Sequence, residues 1–280
     1  MGTISQGDVD ARVLVRYAHN GNNRSWRAFD AVLLYKYVII NASVCVGGQM
    51  RLDKYLVSTG VCSRSEASAA VRKGNVSVNG VVAKSPSSAV NEEKDSVIFC
   101  GRQLVYRKFT YIMLNKPTGV VSATEDGDTT VIDLLPDELR RLGLFPCGRL
   151  DKNTTGLMLL TNDGVLSHKL LAPKSHVDKT YRYACKFPLS DGDIASLEAG
   201  VDIGGYVTAP CKIERLDEKN GNITISEGKY HQIKLMMQAV HNQITSLERI
   251  SFANLVKDPR LALGEWRYLS DAEISGLKNK

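Results

Sequence analysis

The sequence has 280 residues, of which 43% are hydrophobic and 24% are charged, a balance typical of an ordinary globular protein with one to three domains. Its formal charge of +6 and pI of about 8.9 favour a polyanionic partner. The six cysteines include no CxxC pair, so we predict no metal site. We expect reduced thiols and a cytoplasmic location, because a chain of this length does not need a disulfide scaffold.

Residues 31–48 are apolar enough to raise the question of a membrane span or a signal peptide. Lys36 and Asn41 interrupt the run, and a bilayer span needs about 20 mostly apolar residues. A signal peptide would place its apolar stretch nearer the N-terminus. We therefore predict no membrane association. We interpret residues 1–49 as an N-terminal extension, either non-native or disordered, with Met50 as the natural start.

Two short helical patterns open the recognisable part of the chain. Leu52, Tyr55 and Leu56 fall on one face of a helix, as an apolar stripe requires. Ser63 and Glu66 then have the spacing of a capping box. In that motif the serine hydroxyl accepts a hydrogen bond from the first turn, and the glutamate reaches back to the serine N–H. The pattern predicts two successive helices.

A hairpin signal follows these helices. VSVNGVVA alternates in hydrophobicity around Asn79-Gly80, a dipeptide that favours a tight two-residue turn. Together with RLDKYL and SRSEA, this arrangement resembles the S4-type RNA-binding domain. Residues 50–108 carry ten Lys/Arg against five Asp/Glu, which favours phosphate contacts over the alternative of ordinary surface solvation. The cations predicted to bind RNA are Arg51, Lys54, Arg64, Arg72 and Lys73.

The remainder of the chain alternates between strand and helix patterns. The predicted strands are TYIMLNKP, GVVSA, LMLLT, KTYRYACKF, CKIERL and NITIS, and GEWRYL then leads into the last helix. Helices are predicted to begin at Asn162 or Asp163, and again at Ser270. The predicted fold class is α+β. An S4-like domain over 50–108 precedes a catalytic domain over 109–280, which we expect to hold a large, mostly antiparallel mixed sheet flanked by helices.

The densest pattern is CGRLDKNTTGLMLLTNDG, at residues 147–164. It resembles the central motif of the RsuA branch of the pseudouridine synthases, whose GRLD-x-x-TTGL-x-L-x-TNDG pattern is matched throughout. The resemblance extends over about residues 50–275, with NKPTGVVSA before the motif and EGKYHQIK after it. It implies an isomerase that converts a uridine of ribosomal RNA to pseudouridine without metal, cofactor or external nucleophile.

Asp151 is the candidate catalytic residue. It lies on a loop between Gly148 and Gly156, just before an apolar strand, so rigid structure would anchor a carboxylate exposed at a cleft. Arg149 is placed to hold a phosphate or a neighbouring carbonyl. Taken alone, the local pattern favours an aspartate that caps the following turn. The length of the matched motif reverses that preference.

The resemblance also implies roles for four other residues. Pseudouridine formation breaks the N1–C1′ bond of a uridine and rejoins the base through C5, with Asp151 as nucleophile or as base. Burial disfavours a charged carboxylate, and the basic residue after HQI, Lys234, would offset that cost. Tyr181 in KTYRY would stack on the target uracil. Lys179 is expected to support the same cleft, and Lys116 to contact a phosphate.

Several alternatives remain open at this level. Lys234 fits a surface position on a helix, and Tyr181 fits a core position on a strand. Most relatives carry a second basic residue where this chain has Leu235, which favours an alternative function as a non-catalytic RNA-binding or ribosome-assembly protein. A glycoside hydrolase would need a second carboxylate, and Asp163 is better explained as a helix cap. We predict a monomer that acts on 16S ribosomal RNA or a pre-ribosomal particle, with 23S as the alternative substrate.

Overall fold

The computed structural model describes residues 48–280, so the predicted extension lies outside the described residues apart from Gly48 and Gln49. Met50–Lys280 forms one compact α+β unit, which confirms the predicted fold class. Within the described part, no helix is both long and apolar enough to cross a membrane.

Helices and strands alternate along the described chain. The helices are α1 (Leu52–Ser58), α2 (Arg64–Arg72), α3 (Asp137–Arg140), α4 (Gly164–Leu171), α5 (Asp191–Ala199), α6 (Gln232–Ala239) and α7 (Asp271–Lys278). The strands are β1 (Gln49–Arg51), β2 (Val76–Val78), β3 (Val81–Val82), β4 (Ala89–Asn91), β5 (Val97–Phe99), β6 (Arg102–Gln103), β7 (Tyr111–Lys116), β8 (Phe145–Pro146), β9 (Thr155–Thr161), β10 (Lys179–Cys185), β11 (Lys212–Arg215), β12 (Asn220–Ile225), β13 (Ile244–Phe252), β14 (Leu255–Val256) and β15 (Trp266–Tyr268).

The N-terminal part packs α1 and α2 with a four-stranded sheet in the order β3-β2-β5-β6. The capping box of Ser63 and Glu66 is present at the start of α2, as predicted. The hairpin turn between β2 and β3 places Asn79 at φ 52° and Gly80 at φ 79°. These left-handed values are those of the turn that best matches the twist of a hairpin, which explains the Asn-Gly pair.

The large sheet has the order β11-β12-β10-β13-β9-β7-β15, with β14 paired to β13 and β8 to β9. Only the β9–β13 pair is parallel, so the sheet is mostly antiparallel, as predicted. Along β9, Leu157 and Leu159 pack into one hydrophobic cluster, whereas Met158 and Leu160 pack into another. The strand is therefore buried on both faces, which accounts for its continuous apolar sequence.

One predicted strand is wrong. GVVSA contributes only an isolated bridge between Val121 and Thr130. Its serine, Ser122, instead bonds to the loop that carries Asp151: the hydroxyl donates to the carbonyl of Leu150 at 2.8 Å and accepts from the Leu150 N–H at 3.0 Å. The Ser122 side chain thus binds the Asp151 loop, while the backbone of Val121 bonds to Thr129 and Val131 without extending into a strand.

Two parts of the described chain have separate hydrophobic cores, but they touch. One core is built from residues 50–104 and the others from residues beyond 110. Gly60 at φ 77° lies against the backbone of α3, where an added Cβ would collide with the carbonyl of Glu138. Arg102 also pairs with the Glu138 carboxylate at 2.9 Å. The boundary between domains at residues 108 and 109 stays a prediction.

Candidate active site

The loop that carries Asp151 is held in place by a buried lysine of strand β7. Lys116 at the end of β7 is fully buried, and its ammonium group lies 3.0–3.2 Å from the carbonyl oxygens of Pro117, Asp151, Lys152 and Thr154. Burial lowers the pKa of Lys116 to about 8, and a neighbouring cation adds to that shift. The predicted phosphate contact by Lys116 is therefore wrong, because its three N–H donors are used inside the protein.

A close approach of two strands sets where the loop ends. Gly156, the second residue of β9, has φ 100°, and an added Cβ would collide with the backbone of Arg249 on β13. The two strands run parallel here, with Gly156 paired to Arg249. A glycine is needed at this point because any other side chain would push β13 away. The loop consequently lies beside the strands that form the floor of a cavity.

Asp151 contacts its predicted cation, Lys234, and both residues line that cavity. The Asp151 carboxylate lies 2.5 Å from Nζ of Lys234, which is in the first turn of α6. Its second oxygen lies 3.5 Å from Nε2 of His231. The side chains of Asp151 and Lys234 are 27% and 29% exposed, so the pair is partly shielded and still open to a ligand. Residues 83 positions apart in sequence are thus in contact.

A cavity of about 460 Å³ opens beside this pair, a size that admits a nucleotide. Its lining includes five of the predicted residues: Arg149, Asp151, Lys179, Tyr181 and Lys234. Arg149 is exposed, whereas Tyr181 is only 8% exposed. The ammonium of Lys179 donates to the carbonyl of Val177 at 2.6 Å. Burial lowers the pKa of Lys179, and the nearby cation of Arg249 lowers it further.

Arg249 is a buried cation on the cavity wall that was not predicted from the sequence. Its side chain is 2% exposed, and its Nε donates to the carbonyl of Leu157 at 2.7 Å. It lies opposite Tyr181 in the β10–β13 register. A signal was available, because Leu247 and Arg249 are two residues apart on a strand and therefore share one face. A charge on a face that also buries a leucine is unusual enough to mark a site.

Glu227 is the second acidic residue in the cavity lining, and the sequence analysis did not identify it either. One of its oxygens accepts from the hydroxyl of Tyr206 at 2.6 Å. The other accepts from the Ala209 N–H at 3.0 Å and from Nε2 of Gln232 at 2.7 Å. Glu227 thus joins the loop before β11 to the start of α6, and both of its oxygens are engaged.

The predicted RNA-binding residues of the N-terminal part lie on its surface. Arg64, Arg72 and Lys73 are exposed. Arg51 is paired with Asp53 at 2.7 Å. Lys54 is half-buried. Their contact with RNA stays a prediction.

Comparisons with known proteins identify relatives of both parts of the described chain. Residues 110–239 match the family model described as RNA pseudouridylate synthase, and residues 50–97 match the S4 domain. An "Uncharacterized RNA pseudouridine synthase YtzG" from Bacillus subtilis is 48% identical over 231 residues, which cover 80% of this chain and 97% of that protein. A "Ribosomal small subunit pseudouridine synthase A" from Haemophilus influenzae is 39% identical, with 81% and 99% covered.

A solved structure is also similar. A protein whose crystal structure is described as that of a pseudouridylate synthase aligns with a TM-score of 0.59 and 38% identity, and the alignment covers 81% of this chain and 99% of that one. The fold, the two sequence matches and the long alignments to the relatives all agree, and the resemblance found in the sequence is confirmed. The chain belongs to the RNA pseudouridylate synthase family and is an RNA pseudouridine synthase with an S4 domain.

Proposed function

We propose that this protein isomerises one uridine of 16S ribosomal RNA to pseudouridine, with Asp151 as its catalytic carboxylate. The observation that carries the proposal is the contact between Asp151 and Lys234 at 2.5 Å on the wall of a nucleotide-sized cavity that also holds Tyr181. The substrate class is supported by relatives from Haemophilus influenzae and Vibrio cholerae, each named "Ribosomal small subunit pseudouridine synthase A", at 39% and 36% identity. We further propose that the protein acts as a cytoplasmic monomer on 16S RNA or a pre-ribosomal particle.

The reaction requires the target base to leave its stack. Everting a uridine costs a few kcal/mol, and phosphate contacts by a basic surface offset that cost. In the cavity, the N1–C1′ bond breaks, the uracil rotates, and a C5–C1′ bond forms. The proton on C5 then leaves, and N1 gains one. The uracil ring would lie against Tyr181, close to the Asp151 carboxylate.

Asp151 acts in one of two ways, and both need its charged form. The carboxylate attacks C1′ and gives a covalent ester, or it removes the proton from C2′ and gives a glycal. The ammonium group of Lys234 stabilises the charged carboxylate in either case. The surrounding cations Arg149, Lys179 and Arg249 make the cavity electropositive, which favours an RNA strand.

Hydrolysis of a glycosidic bond is less well supported. Such enzymes use two carboxylates that flank the bond. Glu227 is the other carboxylate of the cavity lining, and both of its oxygens already accept hydrogen bonds from the protein. A free second carboxylate is therefore lacking among the described residues that line the cavity.

Tritium release from ribosomal RNA labelled at C5 of uridine tests the proposal. We expect Asp151→Asn to lower the release rate by about 10³-fold or more while RNA binding persists. Asp128→Asn is the matched control, because Asp128 is an exposed aspartate that pairs with Lys152 on the same loop at 2.7 Å. Full activity of the Asp151 variant would refute the catalytic role. No release by the wild type would favour a non-catalytic RNA-binding protein.

The choice between the two ribosomal RNAs needs a second experiment. Pseudouridines are mapped in 16S and 23S RNA from a strain that lacks the gene and from the same strain complemented with it. We expect one position in 16S RNA to change and none in 23S RNA. A change confined to 23S RNA would overturn the substrate assignment and leave the activity intact.

A further inference from the structure

Aromatic side chains follow one another along the rim of the cavity. Tyr206 and His231 belong to its lining, and Tyr230 lies next to His231 in the chain. One of these rings contacts the candidate catalytic carboxylate, since Nε2 of His231 is 3.5 Å from Asp151. Aromatic rings interleaved with cations are the features that bind single-stranded nucleic acid.

Two of the three rings already have contacts with neighbouring side chains. The ammonium of Lys229 lies 4.3 Å from the centroid of the Tyr206 ring, and the Tyr206 hydroxyl donates to Glu227 at 2.6 Å. His231 is covered by Tyr230, whose ring centroid lies 3.9 Å away with an interplanar angle of 20°. Both rings are thereby fixed in place by neighbours.

The outer face of Tyr230 remains open. Its side chain is 76% exposed, and within residues 48–280 its ring stacks on His231 alone. His231 holds a left-handed φ of 51°, which is uncommon for a residue other than glycine. Gln232 closes the turn before it by accepting from the Lys229 N–H at 2.9 Å. The ring of Tyr230 is therefore presented to solvent by a backbone that is already ordered.

We propose that the outer face of Tyr230 is a stacking platform for one base of the RNA strand next to the everted uridine. The inference rests on the proposed function, because it takes an RNA strand as the ligand. A large flat ring stacked on a lining residue of an electropositive cavity suits any nucleobase, since every base has a π-face. Lys229, the preceding residue, lines the cavity itself, and its positive charge favours the adjoining phosphate.

The platform also explains how the strand is placed relative to the carboxylate. Tyr230 stacks on His231, and His231 contacts Asp151. A base that extends this stack fixes the strand at a set distance from Asp151, so that the neighbouring nucleotide enters the cavity. Tyr230 is thus a substrate-positioning residue that does not touch the reacting atoms, and its removal weakens binding more than chemistry.

The test compares Tyr230→Ala with Tyr230→Phe, which keeps the ring. Tritium release from C5-labelled 16S RNA gives kcat and KM, and filter binding in an Asp151→Asn background gives Kd for the same RNA. We expect Tyr230→Ala to raise KM and Kd by about tenfold with kcat within about twofold of wild type, and Tyr230→Phe to match wild type. Phe187→Ala is the matched control, because Phe187 is also an exposed aromatic residue, with 52% of its surface exposed. Phe187 follows the last residue of β10, whereas Lys179 of the cavity lining is the first residue of that strand.

Three results would overturn the inference. The first is an unchanged KM and Kd in Tyr230→Ala. The second is an increase of KM and Kd in Tyr230→Phe as large as that in Tyr230→Ala, which would mean that the hydroxyl and not the ring binds RNA. The third is a defect seen only with pre-ribosomal particles and not with naked RNA, which would indicate contact with a ribosomal protein. If the wild type releases no tritium, the proposed function fails, and the Kd measurement still decides the role of Tyr230.

Discussion

The N-terminal part of the described chain and the cavity of the synthase domain use positive charge in different ways. Arg64 and Arg72 on α2 are exposed. Lys116 and Lys234, in contrast, are committed to protein oxygens: the first to four carbonyls and the second to the Asp151 carboxylate. Exposed cations are available to phosphates and add affinity, whereas committed cations hold the geometry of a reacting group.

This contrast teaches that net charge alone is a poor guide to which lysine binds RNA. The sequence analysis assigned Lys116 to a phosphate, yet the structure uses it to order a loop. Substitutions in the two regions should therefore affect different kinetic parameters.

Lys234→Met should lower kcat by about 10²- to 10³-fold, because it leaves the partly buried carboxylate of Asp151 without its ammonium partner. KM should change by less than about threefold, since the substitution removes no predicted phosphate contact. Single-turnover tritium release measures the effect. Lys234→Arg is the control, because it retains the charge and should recover part of the activity. An increase in KM with an unchanged kcat would instead place Lys234 among the RNA-binding cations.

Lys116→Met should lower kcat by about tenfold to 10²-fold, since the carbonyls of Asp151 and its neighbours lose their shared donor. The pH dependence gives a sharper test. The pKa of Lys116 lies at about 8, below its usual value, so the folded protein releases this proton on passing that pH. The neutral amine has only two N–H donors, and wild-type kcat should decline above about pH 8. The variant should lack this decline.

The same proton has the opposite effect on stability. Between pH 8 and the usual lysine pKa of 10.5, the unfolded chain holds a proton that folded Lys116 has lost. The contribution of Lys116 to the free energy of unfolding should therefore rise as the pH rises through this window. Thermal melts of wild type and Lys116→Met at pH 7.5 to 9.5 measure it. Parallel curves for the two proteins would contradict the assignment.

Replacing Arg64, Arg72 and Lys73 together by Gln should raise KM for 16S RNA by about tenfold and leave kcat unchanged. The slope of log KM against log salt concentration should fall by about two to three, because three phosphate contacts are lost. A matched triple variant at exposed lysines of the catalytic domain changes the net charge equally; its positions are Lys186, Lys212 and Lys219. Equal effects of both triples would show that only net charge matters.

Arg102→Ala should have the smallest effect, with the free energy of unfolding changed by about 0.5 kcal/mol or less. Its ion pair with Glu138 joins the two parts of the described chain, but the side chains are 66% and 48% exposed. Urea unfolding monitored by circular dichroism measures the change. A loss above about 2 kcal/mol would mean that this contact is central to how the two parts dock.

The elements that could be predicted from sequence are those fixed by local chemistry. Capping at Ser63 and Ser270, the Asn79-Gly80 turn and the apolar run of β9 each have a short-range cause, and each is confirmed. At the start of α4 the sequence left two candidates, and Asp163 provides the cap. Local signals thus gave most of the framework around the site.

The remaining features depend on contacts between distant residues. The role of Lys116 follows from carbonyls of the loop before β9, which no local pattern identifies. Arg249 was marked by its place on an apolar strand face, but its partner, the Leu157 carbonyl, is 92 positions away. The segment around Ser122 was predicted as a strand, whereas the Ser122 hydroxyl binds the backbone of Leu150, 28 positions away, a contact that the local pattern does not reveal. Helix α5 begins with a capping box at Ser190, and the signal was present in the sequence but was not used.

The way Lys116 holds its loop has a consequence for how freely the loop can vary. Its ammonium group donates hydrogen bonds only to backbone carbonyl oxygens, which every amino acid supplies. Lys152 and Asn153 are exposed on that loop, so their side chains are not part of the clamp. New side chains could be introduced there to reshape which RNA segment is accepted, while the carboxylate of the adjacent Asp151 keeps its place. Target preference and chemical competence are thereby separable in this enzyme.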